Sequence, residues 1–374
     1  MRWDIFCRVI DNFGDAGVAW RLARQLHAEQ GAEVRLILDD LGTLARLDRR
    51  VRADAATQTV DGVSVARWGS PLGAVADVVV ETFACEAPQE YVEAMAARHP
   101  VPAWINLEYL SAEDWVGRCH RLPSPHPHYP LTRYFFFPGF GEGTGGLLRE
   151  KGLLDARDAF RRSPQARDRF WAGLELPPPV SGERVVTLFG YDTVQVHDLF
   201  EAWSAGREAV RCLVPEGTPL ALRAAHHAGR APGAARAVLG ALTVAWVPFR
   251  DQVDYDPLLW AADFNFVRGE DSFVRAQWAA QPMAWHIYPQ PGGAHRIKLE
   301  AFLQKYLDGL EPPLARRVHD LFLAWNGDGP LGGAWEALSG DWPAWSAHAG
   351  NWAAALATGP DLAGNLAEFD RKLL

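Results

Sequence analysis

The first 38 residues constrain the fold most. Residues 3–10 (WDIFCRVI) are dense in β-branched and aromatic side chains and predict a strand. The turn 11–17 (DNFGDAG) then leads into a helix carrying Val18, Leu22 and Leu26 on one face, and residues 33–38 (EVRLIL) predict a second strand. Strand, tight turn, helix and strand make a βαβ unit, whose crossover requires a parallel sheet. The chain is thereby committed to the α/β class.

The theme continues in apolar runs at 63–68, 76–80 and 102–107, each predicted as a strand. A stiff break, 177–182 (PPPVSG), precedes a restart. Strands are expected at 184–191, 211–215, 242–249, 264–267 and 283–288. Helices are expected at 194–203, 257–262, 272–280 and 295–307. Thr218 before Pro219 predicts an N-cap opening a helix to about 227. The tail from about 313 reads as helical and rich in Trp and Ala. This organisation places one domain at 1–176, a second at 183–345, and C-terminal helices at 346–374 that pack back toward the first domain. In doubly wound sheets ligands sit beyond the carboxyl ends of the strands, so the post-strand loops carry the candidate sites.

Composition narrows the classes. The chain has 374 residues, with 37 Lys and Arg against 46 Asp and Glu, a net charge of −9. That balance argues against a dedicated nucleic-acid binder, which needs a basic stripe. Cys7, Cys85, Cys119 and Cys212 are scattered without a C-x-x-C pair, which disfavours a disulfide framework or zinc site. Asp4 and Asp11 interrupt the N-terminal apolar run and no stretch of 18 apolar residues occurs, so neither signal peptide nor membrane span is expected. The expectation is a soluble, cytoplasmic protein. Its 16 tryptophans suggest a bulky core or stacking surfaces.

Three post-strand loops stand out. Asp11-Asn12-Phe13-Gly14-Asp15-Ala16-Gly17 lacks the G-x-G-x-x-G dinucleotide fingerprint and puts two carboxylates where a pyrophosphate would be repelled. The same residues would equally serve as an Asx-turn at Asp11 and a helix N-cap at Asp15. Arg268-Gly269-Glu270-Asp271-Ser272 opens a helix after a strand. Its backbone N–H groups and Arg268 suit a diphosphate, with Glu270 the odd member. Phe189-Gly190-Tyr191 and Phe249-Arg250-Asp251-Gln252 end second-half strands and offer aromatic rings and an amide to a flat base, though aromatic core is the commoner use. Asp254-Tyr255-Asp256 has a D-x-D pattern, but Pro257 follows at once and an N-cap at Asp256 explains it without a metal.

The stretches DIFCRVIDNFGDAGVAWRLARQL (4–26), YFFFPGF (134–140), TGGLLRE (144–150) and DFNFVRGEDSFVRAQWA (263–279) resemble, in content and order, the bacterial protein-arginine rhamnosyltransferases that modify elongation factor P. The resemblance implies a GT-B-like fold, two Rossmann-like doubly wound domains facing a central cleft, the first for the acceptor and the second for the donor. It implies inverting transfer of L-rhamnose from TDP-β-L-rhamnose to an arginine of elongation factor P, with no metal or other cofactor. It further implies that Asp11, Asp15 and Glu270 are the critical carboxylates. Phe189, Tyr191, Phe249 and Gln252 would hold the thymine, and Arg268, Gly269, Asp271 and Ser272 would line the diphosphate and sugar. Asn12, Phe13, Gly14 and Gly17 would shape the acceptor loop. Alternatives are a transferase or epimerase acting on another nucleotide sugar or acceptor, and a non-catalytic anion clamp. The acidic pair Asp11 and Asp15 disfavours the clamp.

Overall fold

The computed structural model describes residues 1–373, which divide into two compact units: Met1–Lys151 with the residues from Ala357 on, and Gly152–Leu356. The first unit holds β1 (Arg2–Cys7), β2 (Glu33–Leu38), β3 (Thr57–Val60), β4 (Val63–Arg67), β5 (Val78–Thr82), β6 (Ala103–Leu107), β7 (Pro123–Pro125) and β8 (Thr132–Phe136). They form one sheet in the order β3-β4-β2-β1-β5-β6-β8-β7. All pairs are parallel except the edges, where β3 runs against β4 and β7 against β8. β5 (VVVET) and β6 (AWINL) are buried along their whole length, including the polar Glu81, Thr82 and Asn106. The chain leaves β1 toward β2 and β4, then returns to the other side at β5. The β1–β5 junction is therefore the point where strand order reverses.

The second unit repeats the plan with β9 (Glu183–Leu188), β10 (Ala209–Pro215), β11 (Arg236–Leu239), β12 (Leu242–Val247), β13 (Phe264–Arg268) and β14 (Met283–His286). Their order is β11-β12-β10-β9-β13-β14, parallel except for β11. Here the reversal falls between β9 and β13. The antiparallel edge strands β3, β7 and β11 are three or four residues long and mostly exposed, and so give little periodic signal.

Two boundaries differ from the sequence reading. The helices Leu153–Arg162 and Pro164–Gly173 belong to the second unit, although they precede the Pro-rich break. Arg157 Nη1 donates to the Trp278 carbonyl at 2.9 Å and Arg161 to that of Ala279, satisfying the open end of the helix Asp271–Ala279. Trp171 and Leu174 pack with Val185, Leu213 and Val247. The tail also splits. Trp342–Ala357 stays with the second unit, where Trp352 Nε1 donates to Gln277 Oε1 at 2.6 Å. Leu362–Leu373 joins the first unit, with Asn365 bonded to the Gly145 carbonyl at 2.9 Å and Phe369 packed on Tyr134 and Phe136.

The tryptophan surplus has a structural use. Phe264 and Phe266 project from β13 into a cluster of Trp203, Trp325, Trp335, Trp342 and Trp345, with ring centroids 4.3 to 6.4 Å from their neighbours. Aromatic packing thus seats the C-terminal helices on the strand that leads to Arg268. Among the described residues no helix is long and apolar enough to cross a membrane.

Asp370, on the helix Leu362–Leu373, is 0% exposed and neither carboxyl oxygen has a hydrogen-bond partner. Burial pushes its pKa up to about 6, with Asp77 adding to the rise and Arg371 and the N-terminal ammonium opposing it. A folded-state value above the unfolded one means a stabilising contribution that is full below about pH 4 and lost as pH rises through 6. Asp370→Asn is therefore expected to raise Tm by about 2–4 °C at pH 8 and to leave it unchanged at pH 4. Thermal denaturation at the two pH values checks this.

Candidate active site

At the reversal point of the first sheet, the helix Phe13–Gln30 starts earlier than its apolar spacing suggests. Asn12 is its N-cap residue and adopts φ of 43° with ψ of −110°, a strained conformation outside the helical and extended regions. Asp15 is consequently not the N-cap. It sits in the first turn and reaches back, Oδ2 accepting the backbone N–H groups of Ile10 and Asp11 at 2.8 Å each. The carboxylate is nearly inaccessible at 1% exposure. Burial pushes its pKa above the ordinary aspartate value and Asp39 adds to the rise. Hydrogen bonds from Asp11, Ile10 and the Tyr109 side chain oppose it.

Asp11 is buried beside it, and its carbonyl accepts the Gly14 N–H at 2.8 Å. An ideal Cβ on Gly14 would lie 2.5 Å from Asp11 Oδ2. The glycine therefore exists to let this carboxylate lie across the helix entrance. Phe13 is buried under the Arg46 guanidinium, 4.7 Å from its centroid, and Gly17 is buried one turn further on. The structure thus places Asp11, Asn12, Phe13, Gly14, Asp15 and Gly17 in the loop after β1 and the start of the helix that follows it.

At the reversal point of the second sheet, β9 delivers Phe189 and Tyr191 and β13 delivers Arg268. The Arg268 guanidinium stacks 5.0 Å from the Phe189 centroid and 4.5 Å from that of Tyr191. Phe249 lies 6.5 Å from Phe189 with planes at 64°, so the two rings are not parallel plates. Ser272 Oγ accepts the Arg268 N–H at 3.1 Å and donates to the Arg268 carbonyl, stapling the loop from end to end. Gly269 is bonded to the His286 carbonyl through its N–H at 3.0 Å and to Trp285 Nε1 through its carbonyl at 2.6 Å. Glu270 is the N-cap residue of the following helix and is half-buried. Gln252 Nε2 donates to Asp271 Oδ2 at 3.0 Å.

Asp256 is not an N-cap. The helix Gln252–Trp260 runs through Pro257, and Asp256 pairs with Arg275 through contacts of 2.7 and 2.5 Å, both residues buried. Pro257 lies past the first turn of that helix, where it removes one backbone hydrogen bond and crowds the Val253 carbonyl.

Sequence reasoning did not single out His286, Trp325 or Tyr109. His286 Nδ1 accepts the Tyr191 N–H at 3.2 Å. Burial, with Arg268 and His295, pushes its pKa down to about 3, so the ring is neutral and able to accept. Trp325 underlies the loop after β9: an ideal Cβ on Gly190 would fall 2.8 Å from its ring. The signal for all three was positional, since each lies in or under a loop at the carboxyl end of a parallel strand.

Two parallel-dominated sheets, each with a charged loop at its reversal point, define an α/β architecture of the GT-B glycosyltransferase type. At the level of fold alone, an α-glucosyltransferase solved in complex with UDP and a 13-mer DNA aligns with a TM-score of 0.51 at 10% identity, covering 100% of both chains. The chain belongs to the Elongation-Factor P (EF-P) rhamnosyltransferase EarP family, whose model matches residues 3–371. It is 49% identical to the protein-arginine rhamnosyltransferase of Pseudomonas aeruginosa, covering 98% of both chains. Identity to the Pseudomonas putida protein of that name is also 49%, over 100% of this chain and 99% of the relative. A solved structure described as the structural basis for EarP-mediated arginine glycosylation of EF-P aligns with a TM-score of 0.71 at 38% identity, covering 100% of this chain and 99% of the other.

The Gly190 contact sets a stability test. Gly190→Ala forces a methyl against a fully buried indole and is expected to destabilise the second unit by about 1–3 kcal/mol. Urea denaturation followed by tryptophan fluorescence measures it.

Proposed function

We propose that this chain transfers L-rhamnose from TDP-β-L-rhamnose to an arginine side chain of elongation factor P, with inversion at the anomeric carbon and in the cytoplasm where that factor works. The observation that carries the reading is Asp15: a buried carboxylate with a raised pKa, fixed by backbone donors beside a second carboxylate, in a chain of this family.

A guanidinium has a pKa above about 12 and reaches the site protonated, with no lone pair to attack. Carboxylates hold its planar fork through charge-assisted bonds and accept a proton as the C–N bond forms. Asp11 orients the group and disfavours charge spreading into the attacking nitrogen. Asp15 takes the proton. The new bond joins that nitrogen to C1 of rhamnose, and the C1–O bond to the diphosphate breaks with its electron pair, releasing TDP. The raised pKa suits Asp15 to the task, because a base nearer neutrality accepts a proton with more driving force.

On the donor side, Phe189, Tyr191, Phe249 and Gln252 take the thymine, and stacking holds the Arg268 cation beside those rings, where base and diphosphate meet. The Arg268 guanidinium and the N-terminus of the helix that begins at Asp271 then stabilise the leaving diphosphate, so the step needs no metal. Glu270, in the same loop, balances the positive charge developing on the sugar ring. Asp271 and Ser272 act within this arrangement by fixing Gln252 and the loop backbone.

Incubating the protein with TDP-β-L-rhamnose and unmodified elongation factor P should add one deoxyhexose to one arginine, read by mass spectrometry of the intact and digested acceptor. No addition, or free rhamnose alone, overturns the reading. Asp15→Asn is expected to lower kcat by roughly 100-fold or more with TDP affinity unchanged, which single-turnover assays and calorimetry check. Gly14→Ala is expected to keep Tm within about 2 °C, since only the flexible Asp11 side chain must yield, while kcat/KM for the acceptor falls about tenfold.

A further inference from the structure

Tyr109 lies two residues beyond β6, at the same carboxyl edge of the sheet as the loops after β1 and β5. Its ring stacks on Phe83, with centroids 4.4 Å apart and planes 16° from parallel. Phe83 and Ala84 hold left-handed φ angles of 57° and 54°, conformations that side-chain-bearing residues adopt only where the surroundings impose them. The imposition is visible. The Phe83 N–H is bonded to the Leu107 carbonyl at 2.6 Å, and the Ala84 N–H to Asn106 Oδ1 at 3.2 Å. The loop after β5 is thus tied to the end of β6, with Phe83 buried at 6% exposure against the tyrosine ring.

We propose that Tyr109 is a positioning residue of the acceptor site: the Phe83 stack holds its ring, and its hydroxyl donates to Asp15, fixing the direction from which that carboxylate meets the arginine. The inference rests on the reading of Asp15 as the base. A carboxylate offers about four acceptor positions. The Ile10 and Asp11 N–H groups both bond Oδ2 and the Tyr109 hydroxyl is a third donor, so an incoming guanidinium N–H meets a carboxylate whose orientation is already set.

The hydroxyl also acts on the charge. Asp39 at the end of β2 is a titratable neighbour whose charge disfavours the carboxylate form of Asp15, whereas the Cys7 thiol on β1, its pKa pushed well up by burial, is uncharged where Asp15 titrates. Asp11, in the same turn, brings a further carboxylate over Gly14. The Tyr109 bond works in the opposite sense and favours the ionised base. A Phe at this position keeps the ring that stacks on Phe83 and removes the hydroxyl that bonds Asp15.

Tyr109→Phe is therefore expected to shift the acid limb of the kcat/KM profile for the acceptor upward by about one pH unit, with the KM for TDP-β-L-rhamnose unchanged. A simple packing defect would lower activity equally at every pH. Titrating the Asp15 carboxyl by carbon NMR in the wild-type protein and in Tyr109→Phe must show the same displacement without turnover. This separates the two readings: wild-type protein that transfers no rhamnose refutes the function, whereas an acid limb and a carboxyl titration unmoved by the substitution refute the role of Tyr109 alone. Should Tyr109→Phe fail to fold, Phe83→Leu, which keeps the hydroxyl but removes its stacking partner, must move the limb the same way by a smaller amount. An unmoved limb in that variant likewise overturns the proposal.

Discussion

A carboxylate buried at the mouth of a parallel sheet must find donors or lose its charge, and Asp15 finds them in the backbone of Ile10 and Asp11. That bond pattern fixes much else. It requires β1 to end at Cys7, so that residues 10 and 11 can turn their N–H groups inward. It requires the helix to begin at Phe13, so that Asp15 falls in the first turn near the positive end of the helix dipole. It also requires a glycine at position 14, because Asp11 occupies the space a side chain would take. The acceptor reading is thus a property of backbone geometry as much as of side-chain identity.

The second unit uses the same topology for the opposite charge. Arg268 arrives at the end of β13 as Phe189 and Tyr191 arrive at the end of β9, and the cation rests on the aromatic faces. Support comes from below. Phe264 and Phe266 anchor β13 in the tryptophan cluster, and Trp325 closes the floor under Gly190. His286 stays neutral beside Arg268, which preserves its acceptor nitrogen for the Tyr191 backbone. The tryptophan surplus therefore supports the strand that delivers Arg268.

Much of the fold was legible because parallel buried strands are dense in apolar residues, as in the VVV of β5 and the AWI of β6. The edge strands were not, because TQTV and PSP are short and exposed and owe their pairing to neighbours. The cap reading at Asp256 and the cap alternative at Asp15 both fail for one reason: a carboxylate near a helix start suggests a cap, yet here Asp15 bonds backwards to the loop and Asp256 pairs with Arg275, nineteen residues away. The loops holding Asp11, Asp15 and Arg268 stood out by charge and position. Tyr109 and His286 did not, since their significance lies in partners that only the fold supplies.

The most direct test of the account is whether Asp15 titrates where catalysis does. The wild-type acid limb of kcat/KM for elongation factor P should coincide with the carbon-NMR titration of the Asp15 carboxyl, and both should lie above the ordinary aspartate pKa of about 3.9. An Asp15 carboxyl titrating at the ordinary value, or apart from the kinetic limb, would contradict it.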